Sequence, residues 1–378
     1  MIKRMIYADH AATTALSPSA YEAMRPWLQE QYGNPSALYR IAREPRKAMQ
    51  TARETIATCI GAYPEEIFFT SCGTEADNWA IKGSAFSDSE KRATITSSFE
   101  HHAVLRSCET IERLGYPVAY MMPTASGYIT TDILREYISC TTRLVSVMMV
   151  NNEIGSIQPI KRLCEVAHAN GALFHTDAVQ AVGHLPINVK LLGVDMLSAS
   201  AHKFNGPKGV GFLYLREGTV LSSFMNGGAQ ERSKRAGTEN VAGIVGMATA
   251  LHESCEKLEL RREQILKAES ILLRRLAEAQ IKFTINGGQD RIPGILSLSF
   301  PGAEGEAILH RLDLMGIYIS TGSACNSEKT EVSHVLKAIR LDDESALGTI
   351  RVSLGPENTE EDALIISNAL IKILQQDR

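Results

Sequence analysis

One short turn combines features that favour an anion. Residues 70–83, TSCGTEADNWAIKG, follow a predicted strand and open a predicted helix, with Gly73 and Thr74 at the junction. Free amide hydrogens, the positive end of the helix and the Thr74 hydroxyl would all point at a phosphate placed there. A Gly-Thr pair before a helix is more often only a helix cap, so this turn needs support from other residues.

Two further segments place ionisable residues at the ends of buried strands. Asp177, in FHTDAVQAVG, lies where open α/β sheets bind ligands. Alone it would be read as a helix cap or a structural ion pair, but it could also meet a buried cation such as a protonated pyridine nitrogen. Lys203, in SASAHKFNGPKG, follows the next strand with Ser200 and His202 beside it. A lysine kept neutral among apolar strands forms Schiff bases. An anion clamp, a pyridinium partner and a Schiff-base lysine in this order predict a pyridoxal-phosphate site.

The elements that must position these residues alternate along the chain. From about residue 47 to 255, amphipathic helices alternate with short apolar runs such as RLVSVMMVN, which is typical of a strand buried on both faces. This pattern predicts an α/β fold with a mostly parallel sheet between helices. Beyond about residue 240 one long charged helix, residues 251–280, and then short mixed elements are predicted. We expect a large α/β domain of residues 14–255 and a smaller α+β domain of residues 1–13 and 256–378.

Composition excludes several classes of protein. The 378 residues carry a formal net charge of −4, which offers no basic field for nucleic acid or anionic membranes. The N-terminus lacks the apolar stretch of a secretory signal, and no apolar run approaches the ~20 residues of a membrane span. A cytoplasmic enzyme of small molecules is therefore expected.

The seven cysteines include no C-x-x-C pair, which argues against a disulfide framework and a zinc site. Most are expected to be small buried residues. Cys325, in STGSACNS, differs because small and polar residues surround it before a helix begins. This context predicts an exposed, mobile loop and, once the cofactor site is granted, a thiolate nucleophile at Cys325. Because such a cysteine would have to reach into the site and out again, residues 320–329 are expected to be the most mobile part of the protein.

Taken together, these segments resemble the cysteine desulfurases, which belong to the class V aminotransferase branch of the fold-type-I pyridoxal-phosphate enzymes. The resemblance runs nearly end to end, through YADHAATT, GNPSALY, TSCGTEADNWAIKG, FEHHAV, VNNEIGSIQPI, FHTDAVQAVG, SASAHKFNGPKG, GGAQERSKRAGTENVAGIVG, STGSACNS and TIRVSLG. It implies the fold of that superfamily, in which a large, mostly parallel sheet domain joins a smaller α+β domain that carries the catalytic cysteine loop.

The resemblance also assigns roles to residues that would bind the cofactor. Lys203 would form the Schiff base, Asp177 would pair with the pyridinium nitrogen and His101 would stack on the ring. Gln180 and Asn152 would lie near the phenolic oxygen. The phosphate would be held by residues of both subunits of a homodimer: Gly73, Thr74, Ser200 and His202 of one chain, with Thr238 supplied by the partner.

The implied reaction converts L-cysteine to L-alanine and leaves the sulfur on Cys325 as a persulfide. Arg351 would hold the substrate carboxylate through two parallel hydrogen bonds, with Asn152 beside it. Lys203 would act as the base at the substrate Cα. Catalysis would thus depend on Cys325, Lys203 and His101. No metal is expected in the free enzyme, although the Cys325 persulfide would contact an iron–sulfur cluster transiently.

An iron–sulfur scaffold or a sulfur-carrier protein is the expected sulfur acceptor, and iron–sulfur cluster assembly or another sulfur-transfer pathway would be served. The chain ends with LIISNALIKILQQDR, the last predicted helix, whereas the housekeeping enzymes carry a longer tail that helps dock the scaffold, so the acceptor stays open. A selenocysteine lyase, a conventional aminotransferase or a binding protein that has lost turnover are the alternatives.

Three residues depart from the family pattern or add to it. His10 stands where the family usually has Asn, and Cys72 stands where a small non-cysteine residue is usual. Cys72 could be a second oxidation-sensitive thiol, although a buried structural cysteine is the preferred reading. His102 is expected to be a bystander, since the family motif needs one histidine after Glu100.

Overall fold

The computed structural model describes residues 5–88, 90–321 and 332–376. The strands in this part of the chain are β1 Ile6–Tyr7, β2 Ile67–Thr70, β3 Ala93–Ser97, β4 Val118–Met121, β5 Thr142–Ser146, β6 Leu173–Asp177, β7 Met196–Ser200, β8 Gly211–Leu215, β9 Thr284–Ile285, β10 Ile295–Ser299, β11 Ile317–Tyr318 and β12 Thr349–Ser353. The helices are α1 Pro18–Gln29, α2 Arg43–Ile60, α3 Gly73–Ala85, α4 His102–Arg113, α5 Thr131–Tyr137, α6 Ile160–Ala169, α7 Val189–Leu192, α8 Val241–Glu256, α9 Leu258–Glu278, α10 Gly305–Leu314, α11 His334–Ala338, α12 Asp343–Leu347 and α13 Glu360–Gln376.

A seven-stranded sheet forms the centre of the described structure, in the order β2-β8-β7-β6-β5-β3-β4. The pairs β7–β6, β6–β5, β5–β3 and β3–β4 are parallel, while β8 is antiparallel to both of its neighbours. The predicted α/β fold with a mostly parallel sheet is therefore confirmed. Because β2 runs parallel to β7, the carboxyl ends of β2, β6 and β7 meet at one edge of the sheet.

The strands of this sheet are buried because apolar clusters cover both of its faces. One cluster joins Phe69, Phe174 and Phe212 to helices such as α2 and α6, and another joins Phe68 and Leu213 to α3 and α4. α2 ends at Gly61, whose φ of 70° lies in the left-handed region that glycine adopts without strain. The sheet and helices together form the framework from which the polar strand ends project.

The prediction of one long charged helix over residues 251–280 is wrong in one respect. The chain forms α8 and α9 with a break at Lys257, whose φ of −98° and ψ of 11° are not helical. α8 packs against α1 and α2, whereas α9 packs against α13. Two different packing surfaces explain the break, because one straight helix could not lie on both.

A second region surrounds a separate apolar cluster that combines Ile6 and Ala8 with residues between Ile265 and Leu374. It contains the antiparallel sheet β12-β10-β9 and the parallel pair β1–β11. A bridge from Asp9 to Ser353 brings the N-terminal segment beside β12, and a bridge from Ser320 to Arg351 does the same for the residues after β11. The exact domain bounds stay a prediction.

None of the helices among the described residues combines the length and the apolar character that a membrane span requires.

Candidate active site

A cavity of about 390 Å³ lies at the edge where β2, β6 and β7 end. Its lining includes most of the residues predicted from the sequence to form a site: Gly73, Thr74, His101, Asn152, Asp177, Gln180, Ser200, His202, Lys203 and Arg351. Thr238 is exposed and is not among the lining residues. Cys325 and most of the loop of residues 320–329 lie outside the described residues, so the predicted mobility of that loop is untested.

The turn after β2 places the start of α3 in the cavity. Cys72 is extended, and the 13-residue helix begins at Gly73. A side chain at position 73 would approach the Cγ2 atom of Val179 to 2.5 Å, so glycine is needed for close packing here. The hydroxyl of Ser200 is buried and has no hydrogen-bond partner among the described residues. A helix N-terminus and an unpaired hydroxyl therefore face the same space.

Lys203 is held by the N-terminal segment, which crosses the cavity wall. Its Nζ atom donates to the carbonyl oxygens of Ala11 at 2.5 Å and Ala12 at 2.9 Å. The Gln180 amide also donates to the Ala11 oxygen, at 2.8 Å. The ring Nδ1 of His202 lies 3.1 Å from the Thr13 hydroxyl, and burial lowers the His202 pKa to about 4, so this ring is neutral near pH 7. The segment thus orients three residues of the predicted site.

Asp177 and His101 lie close to each other in the site. Asp177 Oδ1 accepts a hydrogen bond from the Val179 amide at 2.9 Å. Burial raises the Asp177 pKa, and the nearby His101 and Lys203 oppose this rise. His101 caps α4 because its Nδ1 accepts from the Ala103 amide at 3.1 Å. Burial lowers the His101 pKa, so the neutral ring carries its proton on Nε2.

Arg351, on β12, is 5% exposed and extends into the cavity from the opposite side. Its Nη2 atom lies 2.7 Å from Asp9 Oδ1, and its Nη1 atom donates to the Asn152 carbonyl at 3.1 Å. Its Nε atom is buried and has no partner among the described residues. The partner expected for a charge in this apolar stretch is therefore Asp9, which lies 342 residues away along the chain.

Several lining residues were not identified from the sequence. Asp77, Glu153 and Ser333 line the cavity, and the Ser333 hydroxyl donates to Glu153 at 2.5 Å. Burial raises the Glu153 pKa to about 7, against the Ser333 hydrogen bond and the Arg351 charge. Asp77 had a usable signal, since it falls on the face of α3 that also presents Gly73, Ala76 and Ala80, all buried. A carboxyl group on an apolar helix face is costly to bury without a partner, so its presence there indicates a site.

His102 also lines the cavity, and its ring centroid lies 4.7 Å from that of His334. The prediction that His102 is a bystander stays untested.

The free cysteines in the described residues are less buried than predicted. Cys108 and Cys164 are buried, Cys59, Cys72 and Cys255 are partly exposed, and Cys140 is exposed. The expectation of mostly buried thiols is met only in part: Cys59 on α2 and Cys255 on α8 lie beside each other at the border of an apolar cluster, and Cys140 lies in a loop. Cys72 lines the cavity beside Gly73 instead of filling the core.

Comparisons with known proteins agree with this architecture. Residues 6–365 match the family model described as aminotransferase class-V. The chain is 47% identical to a cysteine desulfurase IscS of Dictyoglomus turgidum, covering 100% of this chain and 96% of that protein. It is 45% identical to a cysteine desulfurase IscS of Methanosarcina thermophila, covering 99% and 93%.

Solved structures agree as well. A NifS-like protein aligns with a TM-score of 0.93 and 36% identity over 99% of this chain and 100% of that one. SspA in complex with cysteine aligns with a TM-score of 0.84 and 37% identity over 93% and 99%. On this similarity in sequence and structure, the chain belongs to the class-V aminotransferase family, among the cysteine desulfurases.

Proposed function

We propose that this protein converts L-cysteine to L-alanine with pyridoxal phosphate bound in the cavity, and that Cys325 receives the sulfur as a persulfide. The observation that carries the proposal is the convergence of Lys203, Asp177, the start of α3 and Arg351 on one cavity of about 390 Å³. The similarity to proteins named cysteine desulfurase and to SspA in complex with cysteine supports the choice of substrate.

The residues present fit pyridoxal phosphate. The phosphate would be bound by the amides at the start of α3, the Thr74 and Ser200 hydroxyls and the neutral His202 ring. The Ser200 hydroxyl is buried without a partner among the described residues, which is unfavourable unless a ligand supplies one. Lys203 would hold the cofactor covalently as a Schiff base, and Asp177 would pair with its ring nitrogen.

His101 would lie against the face of the cofactor ring, with Gln180 and Asn152 near the phenolic oxygen. When bound, pyridoxal phosphate supplies an electron sink that makes the substrate Cα proton acidic.

Each of three protein side chains would have its own role in the reaction. Once the substrate amine had replaced it on the cofactor, Lys203 Nζ would be free to take the proton from the substrate Cα, because it lies just after β7 within the same cavity. Asp177 would keep a negative charge beside the ring nitrogen, a role supported by the Val179 amide and by the nearby Lys203. The neutral His101 ring would exclude water from one face of the cavity.

Arg351 would bind the substrate carboxylate. Its guanidinium already bonds to Asp9 and to the Asn152 carbonyl, which fixes its plane, while Nε is left without a partner among the described residues. A planar guanidinium held in this way is suited to a carboxylate. Asn152 lies close enough to contact the same substrate.

The sulfur step would use Cys325. Its thiolate would attack the substrate sulfur, the substrate carbon–sulfur bond would break, and the electron pair would stay on the carbon, which takes up a proton. The balance is L-cysteine plus a thiol giving L-alanine plus a persulfide, so no external oxidant is needed.

Thr238 would complete the phosphate site of a second subunit. Its loop is anchored by two ion pairs, Arg53 to Glu231 and Arg235 to Glu75, yet Thr238 itself is exposed and away from its own cavity. In a homodimer this side chain would contact the cofactor phosphate bound in the cavity of the second subunit. Light scattering tests the assembly, and a fully active monomer would contradict it.

An iron–sulfur scaffold or a sulfur-carrier protein would accept the persulfide sulfur, in iron–sulfur cluster assembly or another sulfur-transfer pathway. Capture of a small scaffold or carrier protein by the purified enzyme would identify the acceptor.

The function is tested by incubating the cofactor-loaded protein with L-cysteine and a reductant, without any keto acid, and measuring alanine and sulfide. Equal amounts of both are expected. A requirement for a keto acid would favour a conventional aminotransferase, and strong preference for selenocysteine would favour a lyase. Protein that stays colourless with pyridoxal phosphate and does not turn over would indicate a binding protein.

A further inference from the structure

A second buried carboxyl group lies beside Asp177. Asp77, on α3, is 1% exposed. Its carboxyl group, the His101 ring and the Asp177 carboxyl group each place one atom within 4.8 Å of the other two. The Oδ1 atom of Asp77 is buried and has no hydrogen-bond partner among the described residues. Two carboxyl groups this close and away from water do not both ionise readily.

The surroundings of the two groups decide which one keeps the proton. Asp177 accepts a hydrogen bond from the Val179 amide and faces Lys203, and both favour its charged form. Burial and then the Asp177 charge raise the Asp77 pKa well above its ordinary value, as do Glu100 and Cys72, and among its polar neighbours the Ser198 hydroxyl opposes this rise. Asp177 is therefore the better anion.

The nearest imidazole does not supply a counter-charge to Asp77. His175 Nε2 lies 3.7 Å from Asp77 Oδ1, but the two ring nitrogens already lie 2.8 Å from the Ser146 hydroxyl and 2.9 Å from the Ser198 hydroxyl. Burial lowers the His175 pKa to about 3, so the ring is neutral near pH 7. Asp77 thus sits in a network of neutral polar groups that connects β5, β6 and β7.

We infer that Asp77 is a positioning residue that stays protonated and leaves Asp177 as the single anion of the group formed by Asp77, His101 and Asp177. This inference rests on the proposed function, in which Asp177 faces one positive charge on the cofactor ring. One negative charge balances that cation. A second one would leave an uncompensated charge in a buried site, and an apolar residue at position 77 would remove a polar neighbour of Asp177.

Infrared spectroscopy of the cofactor-loaded protein at neutral pH tests the protonation state directly. Replacement Asp77→Asn should remove the carbonyl stretch of one protonated carboxyl group from the difference spectrum. Glu75→Gln is the matched control on the same helix. Although burial opposes it, hydrogen bonds from Arg235 and Ser71 lower the Glu75 pKa, so this variant should lose only carboxylate bands. Loss of a carboxylate band instead in Asp77→Asn would overturn the inference.

Cofactor affinity gives a second, independent reading. Asp77→Asn should bind pyridoxal phosphate nearly as well as the unmodified protein, because an amide replaces a neutral acid. Asp77→Ala should bind about 10-fold more weakly, because the polar neighbour of Asp177 is lost. If Asp77→Asn weakened binding as strongly as Asp177→Asn, Asp77 would be an anion and the inference would be wrong. Failure of the proposed function looks different, since the unmodified protein would then gain no visible absorbance with pyridoxal phosphate.

Discussion

The two walls of the cavity are built in different ways. The sheet wall, formed by Gly73, Asp177, Ser200 and Lys203, comes from the carboxyl ends of β2, β6 and β7 and includes a buried hydroxyl without a partner among the described residues. The opposite wall includes Asn152, Glu153 and Arg351, and Arg351 is already paired there with Asp9, from the other end of the chain.

This difference suggests separate tasks for the two walls. The sheet wall offers open hydrogen-bonding groups to a ligand that stays bound, whereas on the opposite wall a substrate must share Arg351 with Asp9. Changes to the sheet wall should therefore remove the cofactor, and changes to the opposite wall should weaken substrate binding while the cofactor stays.

The largest effect is expected at Lys203. Replacement Lys203→Ala should abolish both the visible absorbance with pyridoxal phosphate and turnover, because the Schiff-base nitrogen and the proposed base are removed together. Lys208→Ala, an exposed lysine five residues further on, is the control and should leave both unchanged. A Lys203→Ala protein that stays yellow and fully active would show that the sheet wall does not hold the cofactor through Lys203.

A second change on the sheet wall is Asp177→Asn. Loss of a buried charge pair should weaken pyridoxal-phosphate affinity by ~100-fold, and proton removal from the substrate should slow. Titration of the cofactor-free protein with pyridoxal phosphate, followed by absorbance, measures the affinity. Normal affinity together with a normal rate would exclude Asp177 from the mechanism.

On the opposite wall, Arg351→Lys should raise the KM for L-cysteine by ~30-fold, since one charged hydrogen bond of about 2 kcal/mol is lost with the planar guanidinium. The visible absorbance of the bound cofactor should not change. Arg135→Lys, on the exposed surface, serves as the control for the substitution itself. If the cofactor were lost from Arg351→Lys, the two walls would not be separable.

The smallest effect concerns pH. Glu153 is neutral below its pKa of about 7 and negative above it, and it lies near Arg351, whose other carboxylate neighbour is Asp9. Ionisation of Glu153 should compete with the substrate carboxylate, so the KM for L-cysteine should rise as pH increases through about 7. Glu153→Gln should remove this rise, as judged from the ratio of the two KM values across pH. An unchanged profile in Glu153→Gln would exclude this electrostatic competition.

More of the sheet wall than of the opposite wall could be predicted from the pattern of strands in the sequence. Asp177 and Lys203 could be predicted because each follows a continuous apolar run, and parallel strands bring such ends together. The antiparallel direction of β8 and the break at Lys257 could not, because they depend on how distant elements pack. The pairing of Asp9 with Arg351 could not be predicted from local sequence either, since Asp9 follows β1 and Arg351 lies in the middle of β12, 342 residues away. Asp77 was missed although its position on a buried helix face was a usable signal.

The central claim is that sulfur from L-cysteine is carried by Cys325. After brief treatment of the cofactor-loaded protein with L-cysteine, free thiols are alkylated and peptides are mapped by mass spectrometry. We predict one additional sulfur atom on the peptide that contains Cys325, none on peptides containing Cys72 or the exposed Cys140, and almost no sulfide or alanine from Cys325→Ser. Extra sulfur on Cys72 or another thiol, or unimpaired turnover by Cys325→Ser, would contradict the claim.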